Sequence, residues 1–342
     1  MIRRRARVAL ALGLVVLALA GGLRPARAAD SAVVLVYQRV GETKHHPLES
    51  VTRAQFDAHL AHLKQAGFRV MKLREIVASL VNGQAIPEHT VAITFDNAFK
   101  SAYREAWPRL EAAGLPFSVF VASDAVDAKD PDVMSWDELR ALAAAGVTIE
   151  SRGASNRRLW RLDGAAQRDD IARGRARIEE EVGDAPKLFA YPSGERSGAL
   201  AALVEALGFE AAFGLRSGTL HAADDRYALP RFELNERFAD LERFKMIAKV
   251  LPLPIRDLVP EDAILAEPKP RVSFTVDEGV GPLDALTCHV SRQGPAEIAL
   301  LARRVTVELS LAFRRGHDNR INCTLRDSTG RTRWLGLQYV VP

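Results

Sequence analysis

From Ser31 to about Val250 the chain alternates short apolar runs with longer amphipathic stretches. Ala32–Tyr37, Phe68–Met71, Val91–Phe95, Phe117–Val121, Val147–Ile149, Leu188–Ala190 and Glu210–Phe213 read as strands. Between them, Thr52–Ala66 places Phe56, Leu60 and Leu63 on one helical face. Leu73–Val81, Ala98–Ala113, Gly164–Val182 and Gly198–Leu207 read as further helices. Another opens at Ser135, where Glu138 three residues on completes a capping box, and ends at Gly146. Repeated strand–helix alternation predicts parallel strands joined by crossover helices. The pattern alone is compatible with a closed barrel or an open doubly wound sheet.

The texture then changes. Residues 251–270 carry Pro252, Pro254, Pro260, Pro268 and Pro270 and read as a stiff linker. Beyond it, Arg271–Val276, Ala285–Ser291, Arg304–Ala312, Arg320–Leu325 and Thr332–Val340 read as β-runs. They predict a small antiparallel sandwich over 271–342. That is little chain for a self-sufficient core. The two cysteines, Cys288 and Cys323, both fall in it, and a bridge between them is expected in an oxidising compartment.

The first 28 residues read as a secretory signal peptide: Arg3, Arg4, Arg5 and Arg7, an apolar run from Val8 to Leu23, then Ala26-Arg27-Ala28. The expected location is periplasmic or secreted, with no transmembrane anchor after cleavage. Removing residues 1–28, which hold six arginines and no acid, takes the net charge from +4 to −2. A nucleic-acid partner loses its electrostatic support. The sequence does not specify an oligomeric state.

Candidate chemistry gathers at strand ends, where parallel α/β folds place it. Thr94-Phe95-Asp96-Asn97 ends one apolar strand. Met134–Leu139 and Ala145–Val147 lead into Ser151-Arg152-Gly153-Ala154-Ser155-Asn156. Phe189-Ala190-Tyr191-Pro192-Ser193-Gly194 ends another strand, and Tyr227-Ala228-Leu229-Pro230-Arg231 follows later. Together these resemble the motifs of the polysaccharide deacetylase (NodB-homology) family, nearest to its poly-N-acetylglucosamine deacetylases. The resemblance spans most of residues 31–250. It implies a distorted (β/α)7 barrel over 29–250 and hydrolysis of a sugar N-acetyl group. In that family a divalent metal such as zinc polarises the acetyl carbonyl and activates water. An Asp acts as base and a His as acid.

The departures from the pattern carry as much weight. Asp96 keeps the base position. The metal Asp is replaced by Asn97, and the two metal histidines by Arg152 and Asn156. Gln38 stands for an early His, and Ser193 for an aromatic. A guanidinium is always protonated and cannot coordinate, so no cofactor is expected from these residues. The implied binding residues are Arg152, Tyr191, Pro192 and Ser193, with His221 as the candidate acid. The sequence therefore predicts a partner of the family's kind, an N-acetylated polysaccharide or oligosaccharide, bound by a degenerate deacetylase. The alternatives are an active N-deacetylase and an envelope interaction protein working through its β-domain.

Overall fold

The structure, a computed structural model, describes residues 28–342. The expected signal peptide lies outside these residues except for Ala28. The large sheet is built from β1 (Ser31–Tyr37), β2 (Thr90–Asp96), β3 (Ser118–Val121), β4 (Thr148–Ser151), β5 (Leu188–Ala190), β6 (Ala211–Phe213), β7 (Thr219–His221) and β8 (Phe232–Glu233). Strands β1 to β6 are parallel, in the order β6-β5-β4-β3-β2-β1, with β7 antiparallel at the start of β1. The segment before β8 closes the sheet. Leu229 bridges Phe213, Gly214 N–H donates to Leu229 O at 2.9 Å, and Phe232 and Glu233 pair with Leu35 and Val36. The result is the distorted barrel that the resemblance implies.

Strand alternation sorts the side chains into two layers. Leu35, Tyr37, Val91, Ile93 and Phe95 pack outward against Phe56, Leu60 and Leu63 of helix α1 (Arg53–Gln65). Ala32, Val34, Ala92, Phe120, Phe213 and Leu229 form the inner set. Helix α2 (Leu73–Val81) adds Leu73, Ile76, Val77 and Leu80 to it. The predicted capping box is present on α3 (Trp136–Ala144), where Ser135 and Glu138 satisfy each other's backbone N–H groups.

The expected helix over 98–113 begins only at Lys100, passes through a π-helical turn over Ala102–Ala106 and becomes a regular helix at Trp107. Asn97 and Ala98 have positive φ, which bends the chain away from β2 before any helix can start.

The C-terminal region is all-β, as expected. One sheet runs 251–252, 332–340, 318–326, 287–290, 294–296, and the other 255–259, 272–276, 304–307, 298–301. Their facing sides share a core that includes Phe274, Val305, Ile321, Leu335 and Tyr339. Cys288 and Cys323 lie directly opposite on adjacent antiparallel strands and are bridged. The stretch expected to be a linker differs. Leu251–Pro252 and Ile255–Val259 are strands, one in each sheet. Both are edge strands, where a proline's missing N–H costs no ladder bond. Composition hid them for that reason.

This region docks on the barrel. Gly218 bridges Leu335, Trp334 Nε1–H donates to Ser217 Oγ at 2.9 Å, and Gln338 Nε2–H donates to Ser193 O at 2.9 Å. Arg158 Nη1–H donates to Gly316 O at 3.1 Å, and Arg320 faces Glu233 at 3.4 Å. Among the described residues no helix is long and apolar enough to cross a membrane.

Candidate active site

Asp96 is the last residue of β2, and alternation turns it inward at the barrel's C-terminal mouth. It is buried, and both its oxygens are occupied. Arg231 donates from Nη1 to Oδ1 at 2.7 Å and from Nη2 to Oδ2 at 2.9 Å. Arg152 donates from Nη1 to Oδ2 at 2.5 Å. Arg231 is wholly enclosed, with its guanidinium carbon 5.2 Å from the Phe120 ring centre and its Nε–H donating to Gly214 O at 3.1 Å. Burial alone would raise the Asp96 pKa. The charges of Arg231 and Arg152, with their hydrogen bonds, outweigh it and hold the carboxyl below its ordinary value. Burial pulls the Arg152 pKa down, and Asp96 opposes the shift.

Arg152 also begins a row of amides. Its Nε–H donates to Asn156 Oδ1 at 2.8 Å, Asn156 Nδ2–H to Asn97 Oδ1 at 3.0 Å, and Asn97 Nδ2–H to Gln38 Oε1 at 3.0 Å. The loop after β4 that carries Arg152 and Asn156 is fixed from helix α4 (Gly164–Val182). Asp170 accepts from Ala154 N–H at 3.0 Å and from Ser155 N–H at 3.1 Å. Gly174 lets this helix approach, since a Cβ there would lie 2.4 Å from the Gly153 carbonyl carbon. Asn97 and Asn156 both adopt positive φ, a conformation that asparagine tolerates better than most residues.

The structure thus brings Asp96, Asn97, Arg152 and Asn156 into one hydrogen-bonded group. Pro192 and Ser193 follow β5 at the same end of the barrel, and Ser193 has φ 57°. Tyr191 reaches that level, but its ring packs outside the barrel with Phe189, and its hydroxyl donates to Tyr227 O at 2.9 Å. His221 is not brought to the group. It pairs with Ser31 at the start of β1, at the other end of the sheet, and its Nε2 is 3.3 Å from Asp30. The reason is topological: the chain after β6 turns back antiparallel as β7 before it returns as β8.

Arg231 was not singled out as a site residue on sequence. Its only signal was its place at the end of the Tyr227–Arg231 stretch. On the rim, Trp160 Nε1–H donates to Glu195 Oε2 at 2.6 Å, and Arg158 faces Glu195 at 3.2 Å. Cavities of about 480 and 420 Å³ lie elsewhere, the second between the β6–β7 crossover and the C-terminal sheet, and neither is lined by Asp96 or Arg152.

Residues 83–212 match the model of the polysaccharide deacetylase family. The putative polysaccharide deacetylase YxkH of Bacillus subtilis is 22% identical over 185 residues, covering 54% of this chain and 66% of that protein. The poly-beta-1,6-N-acetyl-D-glucosamine N-deacetylase of Staphylococcus aureus (strain MSSA476) is 21% identical over 232 residues, covering 60% and 80%. The structure of IcaB from Ammonifex degensii aligns with TM-score 0.58 and 26% identity, over 65% of this chain and 98% of that one. The Streptococcus pyogenes deacetylase PplD aligns with TM-score 0.60 at 17% identity, over 64% and 98%, which shows a shared fold.

The family match corrects one expectation. The polysaccharide deacetylase family normally uses a divalent metal, which overturns the expectation that no cofactor belongs to this site. The groups this chain places at the mouth do not make a donor set for such an ion. Asp96 has both oxygens engaged by guanidinium groups, and Arg152 would face a dication with like charge. Among the described residues no group of three or more His, Cys, Asp or Glu side chains stands in ligand geometry. By family model and fold, residues 83–212 of this chain carry a polysaccharide deacetylase domain, and its relatives include a poly-beta-1,6-N-acetyl-D-glucosamine N-deacetylase.

Proposed function

We propose that this protein binds an N-acetylated glycan of the cell envelope or an exopolysaccharide at the barrel mouth, in a periplasmic or secreted setting, without acting as an ordinary deacetylase. The observation that carries this reading is the double guanidinium clamp on Asp96. A general base needs an oxygen within reach of the proton it takes and a pKa near the working pH. Here three N–H donors occupy the carboxylate, and the arginine charges make it a weaker base than a free Asp. Releasing it means leaving buried guanidinium groups unpaired, a cost of several kcal/mol.

The test is acetate release from N-acetylglucosamine oligomers, with zinc, cobalt or nickel supplied in turn. The expected result is no release above the protein-free background, together with measurable binding of a glycan by calorimetry. Turnover within the roughly 1–10³ s⁻¹ typical of enzymes, abolished by Asp96→Ala, would instead establish the active N-deacetylase.

A further inference from the structure

The row Arg152–Asn156–Asn97–Gln38 has a fixed direction. An amide's oxygen and nitrogen are ordinarily assigned by their partners, and here the first partner leaves no choice. Arg152 is a donor only, so Asn156 must turn its oxygen toward Arg152 and its NH₂ toward Asn97. Asn97 must then accept with oxygen and donate onward, and Gln38 must accept in turn. Each side-chain oxygen in the row is engaged with its neighbour. What the row leaves without a partner among the described residues is N–H: the second hydrogens of Asn156 and Asn97, the Nε2 group of Gln38, and Nη2 of Arg152.

A second observation points to a ligand. Leu234 N–H donates to Val36 O at 2.9 Å, extending the β1–β8 pairing and setting Asn235 level with Gln38. Phe232 and Leu234 pack outward with Leu35 and Tyr37, so Asn235 faces the mouth. Its side chain is 5% exposed, and Oδ1 is buried without a partner. Buried acceptors of this kind are normally satisfied, and a sugar hydroxyl would satisfy this one.

At Asp96 two guanidinium groups face one carboxylate. Glu195 pairs with Arg158, while Glu233 lies 3.4 Å from Arg320, which Asp318 holds closer at 2.5 Å, and its charge also acts on Arg152. The local charges are close to balanced, so the unpaired N–H groups beside Arg152 carry the assignment.

We infer that the mouth takes a carboxylate-bearing sugar of an acidic N-acetylated glycan. The carboxylate lies along the donor row beside Arg152, and a hydroxyl donates to Asn235. This rests on the glycan-binding reading above and narrows it. A surface of N–H groups around a guanidinium matches an acceptor-only anion.

The test compares two N-acetylated probes, hyaluronan tetrasaccharide with carboxylates and chitotetraose without, by calorimetry on the full mature protein. Hyaluronan tetrasaccharide is expected to bind at least about ten-fold tighter, to lose that advantage on methyl esterification, and to weaken with added salt. Arg152→Gln should remove the preference. Because that change touches a buried ion pair and can cost folding, Gln38→Glu is the second variant. It reverses the terminal group from donor to acceptor on a half-buried rim and should also weaken hyaluronan binding about ten-fold, with an unchanged circular dichroism spectrum. Equal or tighter binding of chitotetraose overturns the carboxylate assignment and leaves glycan binding standing. A folded Gln38→Glu variant with full hyaluronan affinity overturns the placement on the donor row. Binding of neither probe removes the glycan reading itself, and this inference with it.

Discussion

At the scale of single residues, Arg231 and His59 show how burial fixes chemistry. Arg231 is fully enclosed and bidentate on Asp96. Arg231→Ala would leave a buried carboxylate with only Arg152 and should destabilise the protein by about 3–5 kcal/mol, read from urea unfolding. Arg231→Lys should recover only part of the loss, since an ammonium cannot match the two-pronged contact. His59 is wholly buried between Tyr37, whose hydroxyl is 3.0 Å from Nδ1, and the Ala239 carbonyl, 2.9 Å from Nε2. A carbonyl only accepts, so Nε2 carries the hydrogen and Tyr37 donates to Nδ1. Burial pushes the pKa down to about 4. The neutral ring is therefore the form the fold favours. Stability from this residue is fully present above the unfolded pKa near 6.5 and is lost as pH falls toward 4, by roughly 3 kcal/mol. His59→Gln should flatten that limb of the stability–pH curve, measured between pH 7 and 4.

At the scale of elements, the loop after β4 and its support on α4 set the mouth. Asp170→Ala removes the acceptor for two backbone N–H groups and should cost about 1–3 kcal/mol. It should also weaken glycan binding, because Arg152 and Asn156 lose their seat, and a protection assay of the Ala154 and Ser155 amides would report the loosening. The interface shows the opposite constraint. Gly336 faces Ser217 so closely that a Cβ would lie 2.0 Å from its carbonyl oxygen. Gly336→Ala should force the two parts apart and cost about 1–3 kcal/mol, seen as a lowered denaturation midpoint.

Much of this was legible in the chain. Strands such as Leu188–Ala190 and helices such as Gly164–Val182 follow from local patterning, and their observed bounds match. Asp96, Asn97, Arg152 and Asn156 were legible because they sit in motifs at strand ends. Arg231 was not, since its role depends on a return strand that meets β1 far away in sequence. His221 was misplaced for the same reason: sequence order gives no sign that β7 runs antiparallel. The edge strands at 251–259 were masked by prolines that edges accommodate.

At the scale of the whole molecule, the small β-region draws stability from two sources beyond its own core. The Cys288–Cys323 bridge closes a loop of 35 residues and should contribute roughly 3–4 kcal/mol in the chain-entropy account. Reduction with dithiothreitol should lower the unfolding midpoint of that region, and Cys288→Ala with Cys323→Ala should reproduce the shift. The other source is the barrel, through Trp334, Gln338 and Arg320.

The first strand after the barrel, Leu251–Pro252, is itself hydrogen-bonded into the C-terminal sheet beside Arg333 and Trp334. Leu253 N–H continues that ladder to Trp334 O at 3.2 Å. The connection between the two parts is thus a built-in rung and not a tether. Any swing of one part against the other would have to break sheet bonds at the joint and the Gly218–Leu335 bridge together. The molecule should tumble as a single body, with one rotational correlation time for both halves by NMR relaxation. Whatever the barrel mouth holds is then presented at a fixed angle to the C-terminal sheets.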